Sequence, residues 1–285
     1  MLAFSEAVVG PNRMPIGIIR DGSPLNDPAA KVHLRFFRAG EQDKEPRAEA
    51  DATYYGQGLP AAVYVAYAAF DQAGAWDVEV SAQASDMQKP SVSRLRLDVL
   101  PESEAPRVGE QAKPIKTPTV SNVVDPAQLS SGTNPNLALY QISLDDALKS
   151  GKPTAILFAT PAFCRTAVCS PSATVITGLQ KKYGPQINFI HAEVYKYPFN
   201  ESVQKQGEAS RIAQAENRPL TTEERSAGFS DAMVQWGLPT EPWLYLIDAK
   251  GVIAARYEGG ITNEELDPVM QTLIRGETIM PVAGS

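Results

Sequence analysis

Two thiols stand five positions apart in the stretch FATPAFCRTAVCSP, residues 158–171, and Cys164 and Cys169 are the only cysteines of the 285-residue chain. Thiols at such spacing can form a reversible redox pair, clamp a soft metal ion, trap a peroxide or close a structural disulfide. Helix geometry limits how they can meet. Positions three apart on a helix have Cα atoms about 5 Å from each other, within disulfide range, whereas positions five apart are separated by about 8.5 Å, beyond the ~7 Å limit. Either Cys164 lies in a loop ahead of a helix, or the first turns of that helix unwind on oxidation. Ser170-Pro171 favours the loop, with serine as N-cap and proline at the first helical position. Both sulfurs then lie near the positive end of a helix, where a thiolate is favoured, and Arg165 adds a cation beside Cys164. Cys164 is therefore the expected nucleophile.

Other chemistry has little support. The two histidines, His33 and His191, fall in different halves of the chain, and no Ser-His-Asp set, phosphate loop or paired-carboxylate site is recognisable. His191, inside NFIHAEVY, reads as a satisfied sheet histidine, and Glu193 as a solvated or hydrogen-bonded strand residue that could aid proton transfer only if it faced the cysteines. Trp76, Tyr64, Tyr67 and Trp236 read as packing. Neither a cofactor nor a metal is called for. A net charge of −7 with no basic run excludes a nucleic-acid footprint. The longest apolar stretch, near LPAAVYVAYAAF, is short of the ~18 residues a membrane span needs. Since MLAFSEAVVGPNR lacks a basic region followed by an apolar one, the chain is expected to be soluble as it stands, either cytoplasmic or with a signal or lipid anchor removed.

Three regions position the cysteines. Residues 1–100 alternate apolar and polar positions in short runs such as VYVAY, WDVEVSA and RLRLDV, broken by turn residues; about seven strands predict an antiparallel sandwich of the immunoglobulin type. Residues 101–137, with Pro101, Pro106, Pro114, Pro118, Pro126 and Pro135, read as a semi-extended linker. Residues 138–280 begin with SLDDALKSG, a short helix with a Ser143/Asp146 capping box. The buried strand TAILFAT, the cysteine loop, the helix TVITGLQKKYG and the strand INFIHAEVY follow. After a polar insertion at about 195–230 come a strand and hairpin, EPWLYLIDAKGVIAARYEGG, and a helix with a Thr262/Glu265 capping box. Residues just beyond the first strand of such a unit sit where open α/β sheets keep their sites.

This order, with a cysteine pair after the first core strand and EPWLYLID before the hairpin, resembles the thioredoxin-like superfamily. The resemblance implies an α/β thioredoxin-like domain behind the β-sandwich. It further implies that Cys164 attacks a substrate disulfide and Cys169 resolves the mixed disulfide, with a cis-proline at Pro242 and its neighbour Glu241 docking the substrate backbone. Phe163 and Arg165, flanking Cys164, join them as expected substrate-binding residues. Partners would be protein thiols and disulfides. The domain combination is similar to extracytoplasmic bacterial thioredoxin-like proteins, so the expected location is outside the cytoplasm, with membrane association only through an anchor missing from this chain. Departures are Phe163 where the family carries Trp, RTAV between the cysteines, and no acid within TAILFAT. The insertion reads as a solvated, partly helical flap. A helix starting at Cys164, as in the family, is the alternative to the loop. Two rivals remain. One is a peroxiredoxin of the bacterioferritin-comigratory type, against which TPAFC is one residue too long and Leu157 replaces an upstream proline. The other is a Cu(I) carrier using two thiolates and a distant histidine.

Overall fold

The structure is a computed structural model that describes residues 1–40, 45–57, 59, 61–164 and 168–279. The chain divides into two compact units, one comprising Met1–Ser103 with Glu258–Leu266, the other Glu104–Tyr257 with Asp267–Thr278.

The first unit is all-β: β1 Ala7–Val8, β2 Gly10–Ile16, β3 Ile19–Arg20, β4 Ser23–Pro24, β5 Lys31–Arg38, β6 Ala48–Tyr55, β7 Val63–Phe70, β8 Gly74–Gln83 and β9 Ser91–Leu100. Asp21 and Gly22 both take positive φ, the two-residue turn that closes the small β3-β4 hairpin. The other seven strands join in the order β1-β9-β8-β5-β6-β7-β2, antiparallel except for β1 beside β9. β6 pairs with β5 through Ala48–Ala52 and with β7 through Thr53–Tyr55, so one strand serves both halves of the sheet. The two edge strands, β1 and β2, are consecutive in the chain, and the Asn12 side chain clips them by accepting from Val8 N and donating to Val8 O. The result is one sheet curled toward closure. Alternation places Val32, Leu34, Phe36, Trp76, Val78 and Val80 inside. There Phe70 meets Phe36 and Trp76 edge-on at 5.3 and 5.0 Å.

The second unit contains α1 Leu144–Ala147, β10 Thr154–Ala159, α2 Cys169–Tyr183, β11 Asn188–Glu193, α3 Phe199–Ala215, α4 Thr222–Gly228, α5 Asp231–Trp236, β12 Trp243–Ile247 and β13 Ile253–Glu258; α6 Asn263–Ile274 follows. Its sheet runs β11-β10-β12-β13, with β10 parallel to β11 and antiparallel to β12. All six residues of TAILFA are buried, as a strand covered on both faces requires. This strand order, with α2 crossing between the parallel pair and a hairpin turned at Gly251, is that of a thioredoxin-like fold.

The proline-rich stretch from Glu104 packs within this unit. Ala105, Ala112 and Ile115 enter its core. Gly109 N donates to Ile253 O, Ile253 N to Glu110 O and Ala112 N to Gly251 O, each at 2.9 Å, which lays the stretch along β13. Trp236, fully buried against Phe158 and Tyr245, donates from Nε1 to Lys113 O at 3.2 Å. Two expected caps differ, one of them through the strap. Ser143 precedes α1 without capping it, because its Oγ accepts from Thr117 N and donates to Asp145 instead. Thr262 Oγ1 does accept from Glu265 N, but the Glu265 carboxylate does not reach back; it binds Arg13 and Tyr67.

Trp236 fastens strap to core, so Trp236→Ala is expected to cost about 3–5 kcal/mol, read as a lowered urea midpoint for the second unit.

Candidate functional site

The cysteine loop leaves the C-terminal end of β10. Thr160 is fully buried, and a turn closed by Phe163 N donating to Thr160 O brings the chain to Cys164. α2 begins at Cys169, with Val168 at the N-cap. This corrects the expected start: Ser170 and Pro171 occupy the first turn instead of the cap and first position. Proline is tolerated there because the first four N–H groups of a helix have no partner within it. Cys164 thus lies ahead of the helix and bonds Cys169 across a Cα separation of 5.9 Å. The helical first turn of the α2 start faces it directly: Cys169 N donates to Cys164 Sγ at 3.3 Å.

The two sulfur-bearing residues differ in burial. Cys169 is sealed, at 0% exposure, on the apolar stripe of α2 that includes Val175, Ile176 and Leu179, whereas Cys164 is half-buried. Phe163 beside it is also half-buried, its ring edge-on to Tyr195 at 6.3 Å. Arg165 lies outside the described residues. On the neighbouring strand Phe158 pairs with Trp243, so the register continues to Pro242 opposite Ala159, at the mouth where the cysteine loop departs. The Glu241–Pro242 bond is cis, Pro242 is buried and Glu241 half-exposed. Phe163, Cys164, Cys169, Glu241 and Pro242 therefore gather at one end of the sheet.

Beneath the loop lies a polar network that composition did not reveal. Tyr140 O–H lies 2.5 Å from His191 Nδ1, and His191 Nε2 lies 3.1 Å from Ala159 O. Because a carbonyl can only accept, Nε2 carries the proton and Nδ1 accepts from the tyrosine. Burial pushes the His191 imidazolium pKa down and the Tyr140 phenol pKa up. Glu193, also buried, accepts from Ser131 N at 2.8 Å and from its own neighbour Val194 N at 3.0 Å. Ser131 Oγ in turn accepts from Ala162 N. Strand end, strap and cysteine loop are thus tied together within five residues of Cys164. The sequence reading of His191 and Glu193 as hydrogen-bonded strand residues agrees with this. It missed Ser131 and Tyr140, whose partners lie far away in sequence.

No protein-family model matches the chain, and no curated protein matches it. Among solved structures, it is similar to a Chlorobium tepidum chain described as a thiol:disulfide interchange protein DsbE, at 15% identity, covering 59% of this chain and 98% of that one, with a TM-score of 0.36. A thiol:disulfide interchange protein of the thioredoxin family from Chlorobium tepidum TLS is 17% identical over 58% of this chain and 99% of its own, with a TM-score of 0.31. Both TM-scores are low, and the thioredoxin-like fold rests on strand order and register.

His191 makes stability depend on pH. Its pKa is depressed in the folded chain, so as pH falls through about 6.5 the unfolded state takes up a proton that the folded state refuses, and stability drops. Wild type should lose stability between about pH 7.5 and about pH 5.5, and His191→Gln should lose less, compared by urea midpoints.

Proposed function

We propose that this chain is a thiol-disulfide oxidoreductase in which Cys164 attacks and Cys169 resolves. The observation that carries the reading is the asymmetry of the pair, with Cys164 partly open to solvent before a helix and Cys169 sealed within it. A partly open thiol can reach a bulky disulfide, and a sealed one can react only with its neighbour.

The exchange balances as follows. The reduced protein's Cys164 thiolate attacks one sulfur of a substrate disulfide; that S–S bond breaks, and the departing substrate sulfur takes the bonding electron pair and then a proton from solvent. The Cys169 thiol gives up its proton, and its sulfur attacks Cys164 Sγ. The mixed disulfide breaks, and the second substrate thiolate leaves. Two electrons have passed from protein to substrate, and the Cys164–Cys169 disulfide is restored. The same steps in reverse oxidise a dithiol. The Cys169 N–H aimed at Cys164 Sγ favours its thiolate, which lowers the cost of forming the attacking species and, in the reverse direction, makes Cys164 a good leaving group when the substrate disulfide closes.

Protein thiols or disulfides are the proposed substrates, docking over Phe163, Glu241 and Pro242, with Arg165 as the cation beside the attacking sulfur. A resting disulfide suits an oxidising compartment, so an extracytoplasmic location belongs to the same proposal. For the first unit, seven mainly antiparallel strands around an aromatic core support an immunoglobulin-like domain that positions its neighbour or recognises a partner. The rival chemistries are less well supported. Both ring nitrogens of His191 are engaged, leaving none for Cu(I), and the Thr160 hydroxyl that a peroxidase would use is buried beside Ser131.

Redox titration with mass spectrometry of alkylated cysteines should give one reversible two-electron midpoint. Cys169→Ser should accumulate a mixed disulfide with a substrate protein through Cys164, and Cys164→Ser should abolish exchange. A pair that no thiol buffer reduces in the folded protein would contradict the proposal.

A further inference from the structure

Next to the cysteine loop, within the second unit, lies a groove of about 660 Å³. One wall is the strap at Ser131 and Gly132; the other is the start of the insertion, Tyr197, Phe199 and Glu201; Phe163, the residue before Cys164, forms the end nearest the sulfur. A Cβ on Gly132 would come within 3.3 Å of Pro161 Cβ, so glycine lets the strap close tightly on the loop. Tyr197 is 53% exposed although its ring meets Phe199 edge-on at 5.4 Å. That is a large aromatic surface held in place and left open to solvent. The insertion is well braced. Arg218 forks onto Glu224, which closes the α4 capping box with Thr221, and a Cβ on Gly228 would strike the Ser202 carbonyl of α3.

We infer that this groove holds a stretch of polypeptide substrate flanking its reactive cysteine, and that it selects an aromatic or large apolar residue together with a nearby cation. The inference rests on the exchange reading above and names its substrate class. Three observations carry it. Phe163, the residue before Cys164, is part of the groove's lining, so whatever occupies it lies beside the cysteine loop. Its volume suits a few residues of chain and exceeds what a lone small disulfide fills. Among the described residues its lining offers aromatic rings, prolines and main-chain groups and one ionised side chain, Glu201, with no Lys, Arg or His. Along these described walls a glutathione-type disulfide, rich in carboxylates, finds no counter-charge, whereas a lysine or arginine in the substrate finds Glu201. The groove lies on the β11 side of the cysteine loop and Pro242 on the β12 side, so a substrate strand crossing the sulfur touches both.

The test uses the full reduced chain and three disulfide-linked synthetic peptides, in which the residue two positions from cysteine is Phe or Gly and the next is Lys or Asp; hydroxyethyl disulfide is the fourth probe. The rate of protein oxidation is read by acid quench and alkylation. The Phe-Lys peptide should react about tenfold faster than Gly-Lys, as expected for partial burial of an aromatic ring. It should react about threefold faster than Phe-Asp, the scale of a surface charge pair. Tyr197→Ala should narrow the Phe/Gly ratio, and Glu201→Lys should reverse the Lys/Asp ratio. Equal rates for the three wild-type peptides, with hydroxyethyl disulfide still reacting, would overturn the groove assignment alone. No reaction with any of the four would overturn the exchange reading and this inference with it.

Discussion

A helix cannot bring side chains five positions apart within bonding distance, and the site depends on that constraint. For Cys164 to bond Cys169 at all, one of them has to leave the helix. The one that leaves is on the loop side, at the mouth of the sheet; the one that stays is carried by α2 into the apolar stripe facing β10 and β11. Unequal exposure is thus a direct result of spacing. A Cys-x-x-Cys pair can sit within one helical turn, but this pair requires a loop of its own and something to hold that loop in shape.

The strap and the buried polar network supply that support. The loop emerges from a strand whose last carbonyl, Ala159 O, is capped by His191, and its third residue, Ala162, is tied through Ser131 to the Glu193 carboxylate. Such groups are costly to bury unless each finds a partner. Here the partners come from three separate segments, the strap, β10 and β11, so the arrangement holds only when all three are in place. A buried acid on the central strand, which the resemblance to thioredoxins would imply, has no equivalent in TAILFAT. The nearest buried carboxylate comes from the neighbouring strand, as the last residue of β11, and is already committed to two backbone donors. In this molecule it organises the loop.

Much of the second unit was legible because its signals are local. TAILFAT and WLYLI are uninterrupted apolar runs of strand length, INFIHAEVY behaves likewise, and Gly251 ends the turn where Asp-Ala-Lys-Gly announces it. Rise and rotation per residue required either a loop at Cys164 or an unwound first turn, and only the reading of Ser170-Pro171 leaned toward the loop. The exact start of α2 was not legible, because Ser170-Pro171 is as compatible with the second and third helical positions as with a cap. The strap was harder. Proline signals a lack of regular secondary structure and carries no information about packing; Ala105, Ala112 and Ile115 are buried in a core whose other residues lie far along the chain. Ser131 and Tyr140 were missed for the same reason. In the first unit the strands were legible from alternation, but their joining into one curled sheet depends on β6 changing partners midway, which no periodicity encodes.

The central claim, one outer and one inner sulfur in a working pair, is tested most directly by the alkylation rates of the two thiols in the freshly reduced, folded protein, followed by peptide mass spectrometry. The account predicts that Cys164 is modified at least about ten times faster than Cys169, and that the gap closes in urea, since thiol reactivity follows exposure and thiolate stabilisation. Equal rates in the folded chain, or faster modification of Cys169, would contradict it.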